Sequence, residues 1–457
     1  MTSPPVLRQD RSCPPEQRVT RGVPARPGRP RLLAELRDMP PLLRLLIGTQ
    51  LAFNVGFFAV LPYLSSHLAD QIGLAGWLVG LVLGLRTFSQ QGLFVIGGAL
   101  TDRLGPRPVV LAGCTLRIAG FVGLAAAGGI WSVLASVLLI GFAAALFSPA
   151  VESEVARQAV VHESAGHAPR TRVLAIFSVA GQIGAFTGPL LGALLLLVDF
   201  RVACLGGAAV FVAILAGHAR LMPSRPAAAV SSTAADIVAA PAGTGRVAAG
   251  RRAGGGTRSG IRALCRNRSF LLLALAYSGY LVSYNQLYLA LPEEIVRASG
   301  SATALAWMFA LSSLLVITAQ LPVTGWVTRH LDLRTSLVAG LAIIAAGFAV
   351  VAAARPVELP GPGGLLPATG LVVLLTVGQM LVVPAARALL PDLAGARHLG
   401  LHTGALSTIS GTLVLVGSAL TGLLLDRADE QLGGTVPWLV LAAIPLTAAL
   451  AAVRLRP

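Results

Sequence analysis

The chain is short of charge. Only 12% of its 457 residues are Asp, Glu, Lys or Arg, while 55% are hydrophobic; a soluble domain carries about 25% charged residues. So little charge cannot clothe a water-soluble surface of this size. With a mean hydropathy of +0.77, the composition is that of a chain crossing a membrane many times. Lysine is missing altogether, all 35 basic residues being Arg, and we attach no mechanism to that. Cysteine is scarce. Cys13 and Cys265 lie in basic stretches and Cys114 and Cys204 in apolar ones, with no CxxC or other ligand spacing, which argues against a disulfide framework and a metal site. No GxxxxGK[ST] phosphate loop, HExxH pair or Ser/His/Asp constellation is present, so nothing points to nucleotide drive, a cofactor or an enzyme. The net charge of +16 would suit a nucleic-acid binder. The arginines, however, fall in short patches between apolar runs, so the implied partner is the lipid bilayer.

What is there is a series of apolar runs. A transmembrane helix needs about 20 mostly apolar residues, and twelve runs qualify, near 42–66, 75–98, 108–128, 132–153, 172–197, 202–221, 269–292, 303–325, 334–354, 365–388, 403–425 and 436–453. Residues 1–41 are rich in Pro and Arg and read as a disordered basic tail; Met39 offers an alternative start. Residues 222–268, rich in Gly, Ala and Arg, read as a cytoplasmic linker. The chain thus divides into a six-helix bundle over 42–221, the linker, and a second bundle over 269–457. Arginine placement sets the orientation. With both termini and the linker cytoplasmic, the tail, the linker region and the other cytoplasmic segments hold nine, nine and eleven Arg, against four outside: Arg201, Arg297, Arg355 and Arg427. The expected location is the cytoplasmic (inner) membrane.

The halves echo one another. Run 4 ends in "ALFSPAVESEVARQA" and run 10 in "LVVPAARALLPDLAG"; run 2 leaves through "GGALTDRLGPR" and run 8 through "TGWVTRHLDLR". Duplicated six-helix halves point to a secondary transporter with its site between them. The pattern Gly98-x-x-x-Asp102-Arg103-x-Gly105-x-Arg107 resembles the loop 2–3 signature of the major facilitator superfamily. Pro106 stands in place of one basic residue, and Arg329 where the second, degenerate copy would carry an acid. The wider segment "LGLRTFSQQGLFVIGGALTDRLGPRPVVLAGCTLRIAGF" is similar to the drug/proton antiporter branch, in particular the multidrug-resistance protein H group. The resemblance implies an all-α membrane fold of twelve helices in two pseudo-symmetric bundles. It also implies that the Asp102 turn meets the inner end of helix 11 and latches an outward-open state; a plain positive-inside turn is the bland reading. Physically, Gly98 would let a neighbouring helix approach, Asp102 would suit a helix N-terminus or an Arg, and Gly105 would permit a tight reversal.

In run 5, Gly184-x-x-x-Gly188-Pro189-x-x-Gly192 resembles the glycine–proline signature of drug antiporters. Glycines four residues apart make a smooth packing face, and Pro189 can kink the helix; ordinary small-residue packing is the alternative. Arg86 and Arg117 lie near the middles of runs 2 and 3, where a charge is costly and faces water or a partner. Arg86, with Gln90 one turn on, reads either as a structural hydrogen-bonder or as a polar group in a substrate cavity; Arg117 reads as a tie between helices. No Asp or Glu lies deep in any run. Glu152 and Glu154, at the inner end of run 4, are the proton-coupling candidates, or else solvate a helix end. His218 is expected at the interface. Tyr277, Tyr280, Tyr284 and Tyr288 share one helical stripe of run 7, with Tyr288 an expected aromatic-belt anchor. The other three, with Asn54 and Phe57 of run 1 and Gln379 and Met380 of run 10, would line a cavity for flat, amphipathic or cationic molecules, or simply pack.

These readings converge on a monomeric secondary transporter exporting lipophilic or amphipathic small molecules against inward proton flow. Metabolite or organic-anion transport, by uptake or facilitated diffusion, is a second reading, and a non-transporting sensor or scaffold a third.

Overall fold

The structure is a computed structural model that describes residues 35–37, 39–223, 267–300, 304–357, 361–394, 399–427 and 434–455. Most of the basic tail and of the linker therefore lies outside the described residues. Residues 35–37 form a helical turn within a first unit, Met1–Met39; the account below concerns the unit from Pro40 onward.

Every apolar run becomes helical, as lipid demands of a backbone that must satisfy its own hydrogen bonds. We number the helices α1 to α12. α1 comprises Pro41–Phe58, Leu61–Ser66 and a π turn at His67–Gln71. α2 is broken into Gly76–Gly92 and Phe94–Leu104. α3 is Pro106–Ala125, α4 Ile130–Ser164, α5 Arg170–Leu196 and α6 Phe200–Leu221. α7 is split into Arg268–Asn285 and Ala290–Ser299. α8 is Ala304–His330, α9 Leu333–Ala354, α10 Leu366–Ala394, α11 Leu399–Asp426 and α12 Thr435–Ala452.

Ten of these are long and apolar enough to cross a membrane, and the bent α2 makes eleven. The twelfth expected span is α7, whose tyrosines, serines and central break dilute its apolar character. The chain ends of several helices are fixed by side chains. Asp199 accepts from Arg201 N–H at 2.7 Å before α6, Asn267 from Phe270 N–H at 3.0 Å before α7, and Asp332 from Thr335 N–H at 3.2 Å before α9. These caps answer the unpaired donors of a first helical turn.

Two kinds of packing organise the bundle. Within the first half α3 lies against α4 and α6, and α1 against α5 and α6; within the second, α9 lies against α10 and α12, and α7 against α10, α11 and α12. Between the halves the large contacts are α2 on α11 and α5 on α8. Adding or subtracting six turns one of these pairs into the other, which is the internal two-fold relation that the sequence echo implies.

Glycine makes the α2–α11 seam close. A Cβ on Gly84 would lie 2.8 Å from Leu415 Cα, and one on Gly80 would collide with Ser418 O. The α5–α1 contact follows the same rule: a Cβ on Gly184 would lie 2.7 Å from Asn54 Cβ, and one on Gly188 would lie 2.7 Å from Phe58 Cβ.

Candidate functional site

The seam between α2 and α11 is tied at one end by a carboxylate. Asp426, the last residue of α11, accepts from Gly76 N–H at 2.6 Å and from Trp77 N–H at 3.0 Å. Both are unpaired donors in the first turn of α2, where an anion is favoured by hydrogen bonding and by the helix dipole. Deeper along the seam, Thr87 of α2 donates to Asn285 Oδ1 of α7 at 3.1 Å, and Asn285 Nδ2 donates to Ser418 Oγ of α11 at 2.7 Å. Three helices are thus joined by one buried polar chain at the break in α7. Sequence reasoning passed over Asp426 and Asn285; each sits at a helix end or break, where a lone polar residue gives no periodic signal.

The other end of α2 is different. Residues 97–104 are helical, not a loop, and the chain reverses only at Gly105, whose φ of +82° requires glycine. Asp102 and Arg103 are exposed on the last helical turn, and Gly105, with no side-chain cap, takes the capping position of α3. The close helix approach expected at Gly98 occurs one residue earlier. A Cβ on Gly98 would meet nothing within 4 Å, whereas one on Gly97 would collide with Ala145 O of α4. A single-residue step turns a helical position by about 100°, hence the change of neighbour. Arg107 Nη2 donates to Ala219 O at 2.7 Å, tying α3 to the carbonyl end of α6.

Glycines 184, 188 and 192 form the face of α5 that receives α1. Pro189 sits within the continuous α5, and its carbonyl accepts from the Tyr63 hydroxyl at 2.6 Å. Asn54 faces this contact and donates to Gln50 O at 2.8 Å. It packs in the contact of α1 with α5.

Phe57 is the centre of an arginine–aromatic cluster. The guanidinium of Arg86 lies over its ring at 4.8 Å and that of Arg117 at 5.3 Å. Arg86 donates to Gln90 Oε1 at 2.7 Å. Arg117 is also within 4.7 Å of the Phe53 ring, 5.7 Å of Phe121 and 5.2 Å of Phe211, and donates to Ile140 O at 2.9 Å. Arg117 thus joins α3 to α1, α4 and α6. A small cavity lined by Phe57, Leu64, Arg86, Phe121, Val137 and Ile140 adjoins the cluster.

The tyrosine stripe forms a continuous stack. Centroids are 5.8 Å apart for Tyr277 and Tyr280, 5.9 Å for Tyr280 and Tyr284, and 6.0 Å for Tyr284 and Tyr288. Tyr277 and Tyr284 keep partial solvent access. Tyr288 does not stand at an interface. It is 3% exposed, lies within the break of α7 and stacks on Phe309 of α8 at 5.4 Å. Gln379 is half-buried on α10 and Met380 buried. His218 is fully buried near the end of α6, its Nδ1 at 3.0 Å from Ile214 O.

The two acids of α4 part company. Glu154 is 3% exposed and is held by Arg157 and by Gln158 at 2.8 Å. Glu152 is exposed to solvent, as is Arg387 of α10 in the other half. Arg387 escaped the sequence reading because it lies in a run that resembles ordinary positive-inside flanking.

A second charge cluster was also missed. Glu294, 1% exposed, accepts from Arg297 Nη2 at 2.6 Å and lies 2.9 Å from Arg355 Nε, and Arg355 in turn lies 5.9 Å from the Trp438 ring. Glu294 therefore fastens the second piece of α7 to the α9 exit and α12.

Helices packed as two related halves, with a polar chain and an aromatic stack along their common boundary, define a multi-pass membrane transporter of the secondary type. The profile of the Major Facilitator Superfamily matches residues 14–153, 46–292 and 273–457. The chain belongs to that superfamily. It is 31% identical over 393 residues to multidrug resistance protein MdtH of Escherichia coli, covering 85% of this chain and 88% of the relative. It is 36% identical over 419 residues to an uncharacterized MFS-type transporter of Mycobacterium tuberculosis, covering 89% and 92%. Among solved structures, an auto-inhibited POT family peptide transporter superposes with a TM-score of 0.72 at 16% identity, over 92% of this chain and 98% of the other. The peptide transporter POT in complex with sulfate superposes with a TM-score of 0.71 at 17% identity, over 91% and 94%. At these identities the structures speak for the fold alone.

Proposed function

We propose that the protein exports lipophilic or amphipathic small molecules by alternating access, driven by inward proton flow. It does no covalent chemistry on them. The kinship with MdtH supports export of such compounds. The alternating-access reading rests chiefly on one observation: the α2–α11 seam is fastened at its Gly76–Asp426 end, while at the other end Asp102 is exposed and Gly98 has open space. With the arginine-rich segments in the cytoplasm, the fastened end is external and the arrangement faces inward. The Asp102 motif then engages α11 only in the opposite, outward-open state. Bundles over 42–221 and 269–457 rock about the substrate site, with both termini cytoplasmic and the monomer as the working unit.

Proton coupling falls to Glu152. Glu154 is engaged by Arg157 and Gln158, whereas Glu152 is exposed to solvent, and Arg387 of the other half is the base we assign to it. A carboxylate that trades a proton against an arginine of the other half links protonation to the relation between halves. Reconstitution into liposomes with an imposed pH gradient and a panel of fluorescent amphiphiles tests both claims. Wild type should move dye uphill, and a protonophore should abolish it. Glu152→Gln should lose gradient-driven transport while keeping downhill exchange. Loss of the gradient response in Glu154→Gln, with Glu152→Gln unaffected, would reverse the assignment.

A further inference from the structure

The middle of the helices carries an unbalanced charge. Arg86 and Arg117 are 7% and 1% exposed and share the ring of Phe57. Among the described residues neither lies within ion-pairing distance of a carboxylate. Their hydrogen bonds are few. Arg86 has Gln90 at 2.7 Å and Thr87 at 3.4 Å; Arg117 has Ile140 O at 2.9 Å. Nε of both side chains and Nη2 of Arg117 find no partner. A guanidinium offers a planar fork of donors that matches a carboxylate, and a buried cation gains most from an anion placed beside it.

The two arginines are not equivalent. Arg117 is enclosed by Phe53, Phe57, Phe121 and Phe211. Arg86 stands nearer the boundary between the halves. Its neighbour Thr87 bonds Asn285 of α7. Tyr284 retains solvent access. Glu152 and Arg387, one acid and one base, leave the balance positive.

We propose that the transported molecule carries an anionic group, a carboxylate on an amphipathic body, that Arg86 receives it, and that Arg117 behind Phe57 adds positive potential without touching it. This rests on the export reading and narrows its substrates. A lipophilic cation would be the natural ligand of a bare aromatic wall. Here the ring of Phe57 is already taken by two guanidiniums, and an incoming cation meets like charge.

Three decyl probes with a dansyl fluorophore, ending in a carboxylate, an amide or an ammonium, test the proposal on the purified full chain in detergent and in liposomes. In wild type the carboxylate should bind at least about tenfold tighter than the amide, some 1.4 kcal/mol, with the ammonium weakest. Arg86→Gln should bring carboxylate and amide to within about threefold, and Arg86→Lys should keep their order. An ammonium probe that binds as tightly as the carboxylate overturns the proposal, as does a folded Arg86→Gln that retains the preference. If Arg86→Gln does not fold, the wild-type order and Arg86→Lys decide alone. In the flux arm, failure to move any probe sinks the export reading, whereas transport of the ammonium probe alone sinks only the anionic assignment.

Discussion

At the scale of the residue, burial decides which charges matter. Glu294 and Glu163 each face arginine, but Glu294 is 1% exposed and touches two, whereas Glu163 is 43% exposed and lies 3.9 Å from Arg170. Removing one partner of a buried pair costs about 3–5 kcal/mol, while an exposed pair contributes about 0–1 kcal/mol. Glu294→Gln should therefore lower the unfolding midpoint in detergent strongly, and Glu163→Gln hardly at all; equal effects would mean that Glu294 is wetter than its surroundings imply. A second residue carries a pH signature. Thr335 donates to Asp332 through both its hydroxyl and its N–H, which holds the carboxyl below its usual range. The folded pKa being the lower one, this contribution is whole above the unfolded value of about 3.9 and fades as pH falls through the folded value. Asp332→Asn keeps a capping oxygen but should lose that acid-side dependence, as unfolding curves between neutral and acid pH would reveal.

At the scale of the helix, glycine spacing was legible and glycine partners were not. The i, i+4 pattern of Gly184, Gly188 and Gly192 announced a smooth face; that α1 occupies it depends on how the chain returns. The motif of α2 is more instructive. Gly98 belongs to the recognisable pattern, yet Gly97 makes the close contact with α4. Gly97→Val should reduce folded yield and thermal stability, with a cost of about 1–3 kcal/mol or more from overpacking. Gly98→Ala should fold normally. A fall in transport by Gly98→Ala with unchanged stability would place Gly98 in the opposite conformation's contact; a loss of stability would show that the open space beside it is filled. The stripe of tyrosines was equally plain from spacing, and Pro292, which has no N–H to offer Tyr288 O, marks the break at Gln286–Leu289; that Tyr288 is buried there was not legible.

At the scale of the whole molecule, the two halves meet along α2–α11 and α5–α8, and each meeting is a surface that must part during transport. Asp426 fastens the first of them. Asp426→Asn weakens that cap by removing its charge, and Gly84→Leu wedges the seam directly. A cysteine pair at Ala75 and Arg427 should cross-link readily in the parent chain and less readily in either variant, while Asp102→Asn should leave or raise the yield. Cross-linking unaffected by Gly84→Leu would mean that the seam does not govern that end.

Composition by itself determined the class, because 457 residues with 12% charge have no way to fold in water, and continuous apolar runs of about 20 residues cross lipid as helices rather than as alternating barrel strands. Run lengths determined the helices, and the Asp102–Arg107 pattern the superfamily. Which residues face one another was decided only by the tertiary structure. The pairing of Arg86 with Phe57, of Glu294 with Arg355 and of Asp426 with the first turn of α2 joins positions up to 350 residues apart. A one-residue step on a helix redirects a side chain by about 100°, so spacing along one segment fixes a face but never the neighbour that covers it.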